Sequence, residues 1–114
     1  KIISKKKLLG LTCHNSKYLV KKMMVYKPNY ISFGSFFPSK TKKTQYKATI
    51  KIINWFKKNF KLPCVAIGGI TLNNCNKILK TNCNLIAVSS GVWDFEAGPI
   101  KAVNLFNKIL NKKI

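Results

Sequence analysis

Four short apolar runs, each ending in glycine, serine or threonine, constrain the fold of this chain most strongly. They occupy residues 8–12, 30–34, 63–69 and 85–90, and a segment with helical spacing of apolar residues follows each run. Runs this short and this apolar are typical of parallel strands that are buried on both faces. The regular alternation therefore predicts four β/α units in an α/β fold with a parallel sheet.

The helical segments are predicted at 16–26, 49–60, 72–80 and from Pro99 onward, with Thr71 as the N-cap of the third. Their apolar positions repeat at helical spacing, which predicts one buried face for each helix. The residues predicted to face inward are Leu19, Val20, Met23, Ile52, Ile53, Phe56, Leu72, Cys75, Ile78, Leu79, Val103, Phe106 and Leu110.

The charge of the chain is strongly positive, at +20, with 22 basic residues against two acidic ones, Asp94 and Glu96. Such a charge permits a basic module that binds nucleic acid. Every basic residue is lysine, however, and the lysines are spread along the chain. Arginine makes the bidentate contacts that specific recognition favours. A compositional bias toward lysine is the preferred explanation of the positive charge. We expect salt-sensitive, non-specific binding to polyanions in either case.

The four cysteines form no C-x-x-C pair, and the chain has one histidine, His14. A zinc site needs paired cysteine and histidine spacing, so no metal ligands are predicted in this chain. Cys64 lies in an apolar run and is predicted to be a small core residue. Reduced cysteines, no apolar run long enough to span a membrane and no visible secretory signal favour a cytoplasmic protein.

Small and polar residues follow the predicted strands, and parallel strands end at one edge of a sheet. After the third run, Gly68 and Gly69 allow close approach of an anion to the backbone. After the fourth run, Ser90 adds a hydroxyl, and the amides of Ser90 and Gly91 add further donors. Either loop alone is better explained as a tight turn or a helix cap, but together they predict a phosphate site.

The loop after the second run contains Ser39, Thr41 and Lys42 within four residues. Two hydroxyls and an ammonium at this spacing suit a pyrophosphate, which they would hold by charge-assisted hydrogen bonds. In a chain with 22 lysines, a solvated lysine loop is an equally good explanation of the composition alone.

Four motifs together resemble the thiamine phosphate synthase/thiazole tautomerase superfamily. Segment 9–15, LGLTCHN, resembles its I-G-x-S-x-H strand end, and segment 33–42, FGSFFPSKTK, resembles its G-P-x-F-P-T-x-T-K loop. Segment 66–71, AIGGIT, matches A-I-G-G-I, and segment 87–92, AVSSGV, resembles V-V-S-A-I. The motifs occur in the family's order over nearly the whole chain. Ser35, Ser39 and Gly91 depart from the family's usual Pro, Thr and Ala.

The resemblance implies strands five to eight of a TIM (β/α)8 barrel, with residues 1–114 as one partial domain. It implies a transferase of thiamine biosynthesis that joins hydroxymethylpyrimidine pyrophosphate to thiazole phosphate. Thr12 and Lys42 are implied in catalysis, with Thr12 near the pyrimidine and pyrophosphate. The implied substrate-binding residues are Ser39, Thr41 and Lys42 for pyrophosphate and Gly69, Ser90 and Gly91 for the thiazole phosphate.

The resemblance also implies Mg2+, with acidic ligands in the first half of the barrel. The chain opens on Lys1-Ile2-Ile3-Ser4, without methionine, so we expect a fragment that is inactive alone. A complementing N-terminal half or a dimer would cover its open strand edges. Asp94 is expected to cap the turn before Pro99 rather than to bind metal.

The main rival within the superfamily is a thiazole tautomerase-like isomerase that uses His14 for proton transfer. A histidine at this strand end occurs in both activities, whereas the loop with Ser39, Thr41 and Lys42 favours the synthase. A catalytic dyad of Cys13 and His14 is not expected, because neighbouring strand residues point to opposite faces.

Overall fold

The computed structural model describes residues 7–38 and 47–112. Its centre is a four-stranded sheet in which every neighbouring pair is parallel and the strands lie in chain order. The strands are β1 (Gly10–Thr12), β2 (Tyr30–Phe33), β3 (Cys64–Ile67) and β4 (Leu85–Ala87). Parallel α/β architecture is therefore confirmed, and all four strands fall within the predicted apolar runs.

Five helices accompany the strands in the described residues. They are α1 (Lys17–Met23), α2 (Ile50–Asn59), α3 (Asn76–Leu79), α4 (Ser90–Trp93) and α5 (Pro99–Lys112), and a 3-10 turn (Met24–Tyr26) follows α1. Helix α1 begins where the Ser16 hydroxyl accepts a hydrogen bond from the Leu19 amide at 3.0 Å, as expected of an N-cap serine. Within the described residues, no helix is both long and apolar enough to cross a membrane.

The core lies between the sheet and the helices. Helix α2 buries its predicted face, Ile52, Ile53 and Phe56, because apolar residues at this spacing fall on one side of a helix. The Phe56 ring meets Phe33 of β2 edge to face, with ring centroids 5.4 Å apart. This packing fixes the helix that returns the chain from β2 to β3.

The third helix is shorter than predicted, because α3 begins at Asn76 rather than at 72. The prediction that Thr71 is its N-cap is wrong, because the N-cap is Cys75. The Thr71 hydroxyl accepts a hydrogen bond from the Asn74 amide at 3.3 Å in the turn before the helix. The Asn74 side chain, however, accepts from the Thr71 amide at 2.8 Å. Such local side-chain bonds compete with regular helix, so residues 72–75 form turns.

The buried face of α5 differs from the prediction at two positions. Phe106 is buried as expected, but Val103 and Leu110 are 44% and 37% exposed. Ala102 is buried instead, and Ile109 packs against the core. Helix α5 carries two overlapping apolar stripes, and helical spacing alone does not predict which of the two is buried.

Candidate functional site

The carboxyl ends of the four strands bring the predicted motifs to one edge of the sheet. Thr12, Phe33, Ile67 and Ala87 are the last residues of β1 to β4. The strands are parallel and adjacent, so the loops that leave them share this edge. In parallel β/α folds the carboxyl edge is where ligands bind.

The turn after β3 is built on two glycines with positive φ angles, Gly68 and Gly69. The Gly68 carbonyl accepts a hydrogen bond from the Phe37 amide at 3.1 Å, which draws the loop after β2 against this turn. A β-carbon on Gly69 would overlap the Phe37 carbonyl and would lie 2.7 Å from the Pro38 carbonyl. Glycine is therefore required here both by the backbone angle and by the close approach of a second loop.

Asn74 holds the glycine turn in place. Its side-chain amide donates to the Gly69 carbonyl at 2.9 Å, while its oxygen accepts from the Thr71 amide at 2.8 Å. The Gly69 carbonyl is thus occupied, and the turn is tied to the segment that leads into α3. Sequence reasoning missed this residue, although an asparagine three positions after a threonine is a recognisable signal for a side-chain-stabilised turn.

The loop after β4 passes directly into helix α4, which begins at Ser90. The first amides of a helix have no partner within the helix, so those of Ser90 and Gly91 are donors that a ligand can use. A β-carbon on Gly91 would overlap the Ile70 carbonyl and would lie 2.9 Å from a Val88 methyl. The small residue at this position lets the start of α4 lie against the segment after β3.

These two loops line one open cleft of about 450 Å3, together with Pro38 from the loop after β2. The cleft brings together three of the predicted phosphate-binding residues, Gly69, Ser90 and Gly91. Ser39, Thr41 and Lys42 lie outside the described residues, so their assignment to the pyrophosphate stays a prediction.

Thr12 is not among the residues that line this cleft. It is an exposed residue at the end of β1, two strands away from β3, and it pairs with Ser32 of β2. Its implied catalytic role stays a prediction.

Cys13 and His14 differ in their surroundings. Cys13 is completely buried, and burial raises the pKa of its thiol, so the thiol stays protonated and is a poor nucleophile. His14 is partly exposed with a φ of 55°, and its carbonyl accepts from the Gly34 amide at 3.1 Å. Both residues lie beyond the end of β1, so the argument from alternating strand faces does not apply to them. The expectation that they form no catalytic dyad stays a prediction.

Both acidic residues of the chain, Asp94 and Glu96, line the same cleft. Sequence reasoning placed Asp94 as a cap before Pro99 and assigned Glu96 no role. In the structure Asp94 follows α4, and its amide donates to the Ser90 carbonyl at 2.9 Å. Residues 7–38 and 47–112 contain no cluster of three or more His, Cys, Asp or Glu side chains that could hold a metal ion.

The architecture is that of an α/β protein with a parallel sheet, in which glycine turns and helix-start amides surround one cleft at the carboxyl edge. In parallel β/α folds such an edge is a common place for anionic ligands. The family model described as thiamine monophosphate synthase matches residues 1–92. The chain belongs to this family.

Curated relatives agree with the family match. The chain is 37% identical over 103 residues to the thiamine-phosphate synthase of Rhodospirillum centenum, covering 90% of this chain and 50% of the relative. It is 42% identical over 92 residues to that of Pelagibacter ubique, covering 81% of this chain and 44% of the relative. The chain thus spans about half the length of these relatives, which fits the predicted C-terminal half.

A solved structure shares the fold. The thiamine phosphate pyrophosphorylase from Pyrococcus furiosus superposes with a TM-score of 0.81 at 26% sequence identity, covering 98% of this chain and 52% of that chain. Neither the tautomerase-like nor the nucleic-acid-binding alternative is favoured by these matches.

Proposed function

We propose that this chain is the substrate-binding second half of a thiamine phosphate synthase, comprising strands five to eight of a (β/α)8 barrel. One observation carries the proposal: Gly69, Ser90 and Gly91, which follow two neighbouring strands, line a single cleft. Loops after the seventh and eighth strands of such barrels commonly hold a phosphate. The family membership of the chain supports the same assignment.

The thiazole phosphate would lie against the amides of Gly69, Ser90 and Gly91 and the Ser90 hydroxyl. Backbone amides at a helix start attract anions because they are unpaired and carry partial positive charge. The net charge of +20 adds a general attraction for anionic substrates.

The pyrophosphate of the second substrate would be held by Ser39, Thr41 and Lys42. Support comes from the residues that flank this stretch. Pro38 lines the cleft, and the Ala48 amide donates to the Ser35 carbonyl at 2.9 Å. The loop therefore leaves and rejoins the described structure at the carboxyl edge of the sheet.

The proposed reaction needs charge stabilisation and positioning more than acid–base chemistry. As the resemblance implies, pyrophosphate leaves the pyrimidine methylene carbon, and the thiazole nitrogen attacks the resulting cation. Lys42 would stabilise the leaving group, Thr12 would contact the pyrimidine and pyrophosphate, and the cleft would orient the thiazole.

Magnesium does not fit the described residues as a complete site. The chain has two carboxylates, both exposed, and the described residues form no metal cluster. The Mg2+ that the family implies would take its acidic ligands from the other half of the barrel.

The other half, or a second copy of the chain, would cover the open edges of the sheet. Strands β1 and β4 each have one sheet neighbour in the described structure. On α5, Ile100, Val103 and Leu110 form an exposed apolar stripe, with Ile100 79% exposed. Unpaired strands and apolar stripes of this kind favour association. We propose the N-terminal half of the barrel as the occupant and a dimer as the alternative, in the cytoplasm that such a biosynthetic enzyme would occupy.

A chimaera tests the proposal. The aligned half of the Rhodospirillum centenum synthase is replaced by residues 1–114, and condensation of the two phosphorylated substrates is measured. We expect activity in the chimaera and none in the isolated chain. Lys42→Ala should sharply lower turnover, whereas Lys51→Ala, which removes an exposed lysine from α2, should not. A folded chimaera without activity, or equal effects of the two substitutions, would contradict the proposal.

A further inference from the structure

Two thiols meet at the opposite edge of the sheet from the cleft. Cys64 is the first residue of β3, and Cys83 lies two residues before β4. Their sulfur atoms are 3.7 Å apart, within hydrogen-bonding contact for thiols. Both cysteines are free, with Cys64 fully buried and Cys83 partly exposed.

The pairing of the two strands brings the cysteines together. Val65 lies opposite Leu85, so Cys64 directly precedes the part of β3 that pairs with β4, and Cys83 lies two residues before the paired part of β4. Residue 83 lies outside the regular strand, which lets its side chain turn toward Cys64. A disulfide needs a sulfur–sulfur distance of about 2 Å, so the 3.7 Å contact has to close by rotation of the two side chains.

The groups around the two thiols shift their pKa values in opposite directions. The Lys57 ammonium donates to the Asn84 side-chain oxygen at 2.8 Å and to the Leu62 carbonyl at 2.9 Å. A hydrogen bond from Cys64 lowers the pKa of Cys83 to about 7, and the positive charge of Lys57 contributes in the same direction. The same hydrogen bond, together with burial, raises the pKa of Cys64.

We propose that Cys64 and Cys83 are a redox pair that a hydroperoxide converts into an intramolecular disulfide. The Cys83 thiolate attacks one peroxide oxygen, the O–O bond breaks, and the leaving oxygen takes up a proton. The resulting sulfenic acid is attacked by the Cys64 sulfur, the S–O bond breaks, and the Cys64 proton leaves with the hydroxide as water. With hydrogen peroxide, two thiols give one disulfide and two waters, and two electrons pass to the oxidant.

The disulfide would close the chain from Cys64 to Cys83, a segment that includes the Gly69 turn and α3. Closing a loop of this length reduces the freedom of the unfolded chain, so oxidation should raise the melting temperature by roughly 10 °C. The cross-link would also tie β3 to β4, the two strands whose far ends carry the cleft. The inference is independent of the proposed synthase activity.

Peptide mapping tests the pair directly. After treatment with hydrogen peroxide, free thiols are alkylated and the protein is digested with trypsin. Cys64 and Cys75 share peptide 62–77, whereas Cys83 lies in peptide 81–101. We therefore expect peptides 62–77 and 81–101 to be joined, two hydrogen masses below their sum, in both the wild type and a Cys75→Ser variant.

Two further measurements keep the test decisive. Cys64→Ala removes the resolving thiol, so Cys83 should accumulate as a sulfenic acid that dimedone traps, and the rise in melting temperature should vanish. Cys13→Ser is the matched control, because it alters another fully buried cysteine and should leave the cross-link unchanged. Cross-links to Cys13 or Cys75, or oxidation of Cys83 without any link to Cys64, would overturn the proposal.

Discussion

Replacing Gly69 by alanine should damage both the stability of the fold and the proposed phosphate site. Gly69 has a φ of +66°, a left-handed angle that costs an alanine about 1–2 kcal/mol. Its new methyl would also overlap the Phe37 carbonyl and would lie 2.7 Å from the Pro38 carbonyl. Forcing an extra carbon into such a contact costs about 1–3 kcal/mol. Together these effects predict a loss of about 2–5 kcal/mol in the free energy of unfolding.

Gly98 provides a matched control. It also has a positive φ, +98°, but a β-carbon there would meet nothing within 4 Å. Gly98→Ala should therefore show a backbone cost alone, about 1–3 kcal/mol. The difference in unfolding free energy between the two variants measures the steric cost of the close approach between the loop after β2 and the glycine turn.

Urea denaturation measures the stability of both variants, and steady-state kinetics of the chimaera measures the effect on the site. Because the turn must move several tenths of an ångström to admit the methyl, we expect the KM for thiazole phosphate to rise at least about tenfold. This is the effect of losing one hydrogen bond to a charged group. Equal destabilisation by Gly69→Ala and Gly98→Ala, with an unchanged KM, would refute the reasoning.

Three further predictions concern two side chains, Ser90 and Cys83. In the chimaera, Ser90→Ala should raise the KM for thiazole phosphate by about tenfold through loss of a charge-assisted hydrogen bond. Ser89→Ala should change it little, because Ser89 does not line the cleft and its hydroxyl does not cap α4; similar effects of the two substitutions would remove the Ser90 hydroxyl from the site. The pKa of Cys83 is lowered from 9.0 to about 7, so its alkylation by iodoacetamide should be half-maximal near pH 7, and Cys64→Ala should shift this midpoint upward. Because the folded-state pKa is depressed, the Cys83 thiolate should add stability as pH rises from about 7 to 9. The urea midpoint of the wild type should therefore rise across this window relative to that of Cys83→Ser, and parallel pH profiles of the two proteins would contradict that contribution.

Much of the fold follows from local patterns in the sequence. The order of the four strands and of α1, α2, α3 and α5 was predictable because buried parallel strands are short apolar runs and amphipathic helices repeat at their own period. Helix α4, with four residues, is too short to show such a period and was not predicted. The buried face of α2, with Ile52, Ile53 and Phe56, was predicted for the same reason. The meeting of Gly69 and Ser90 at one edge was also predictable, because parallel strands that are neighbours end together.

Other features depended on contacts between distant segments. Helix α5 could bury either of two stripes, and tertiary packing buried Ala102 and Phe106 and left Val103 exposed. The thiol pair at Cys64 and Cys83 has no spacing signature, because it arises from the register of β3 against β4.

The amino-acid sequence by itself determined the α/β class, the order of the units and the family, since each depends on residue types within short segments. Tertiary structure alone decided that Asp94 and Glu96 line one cleft with Gly69 and Pro38. It also decided that Cys64 lies against Cys83. These contacts are fixed by how strands and loops pack across the sheet. The local periodicity of apolar residues carries no information about which distant segments come into contact.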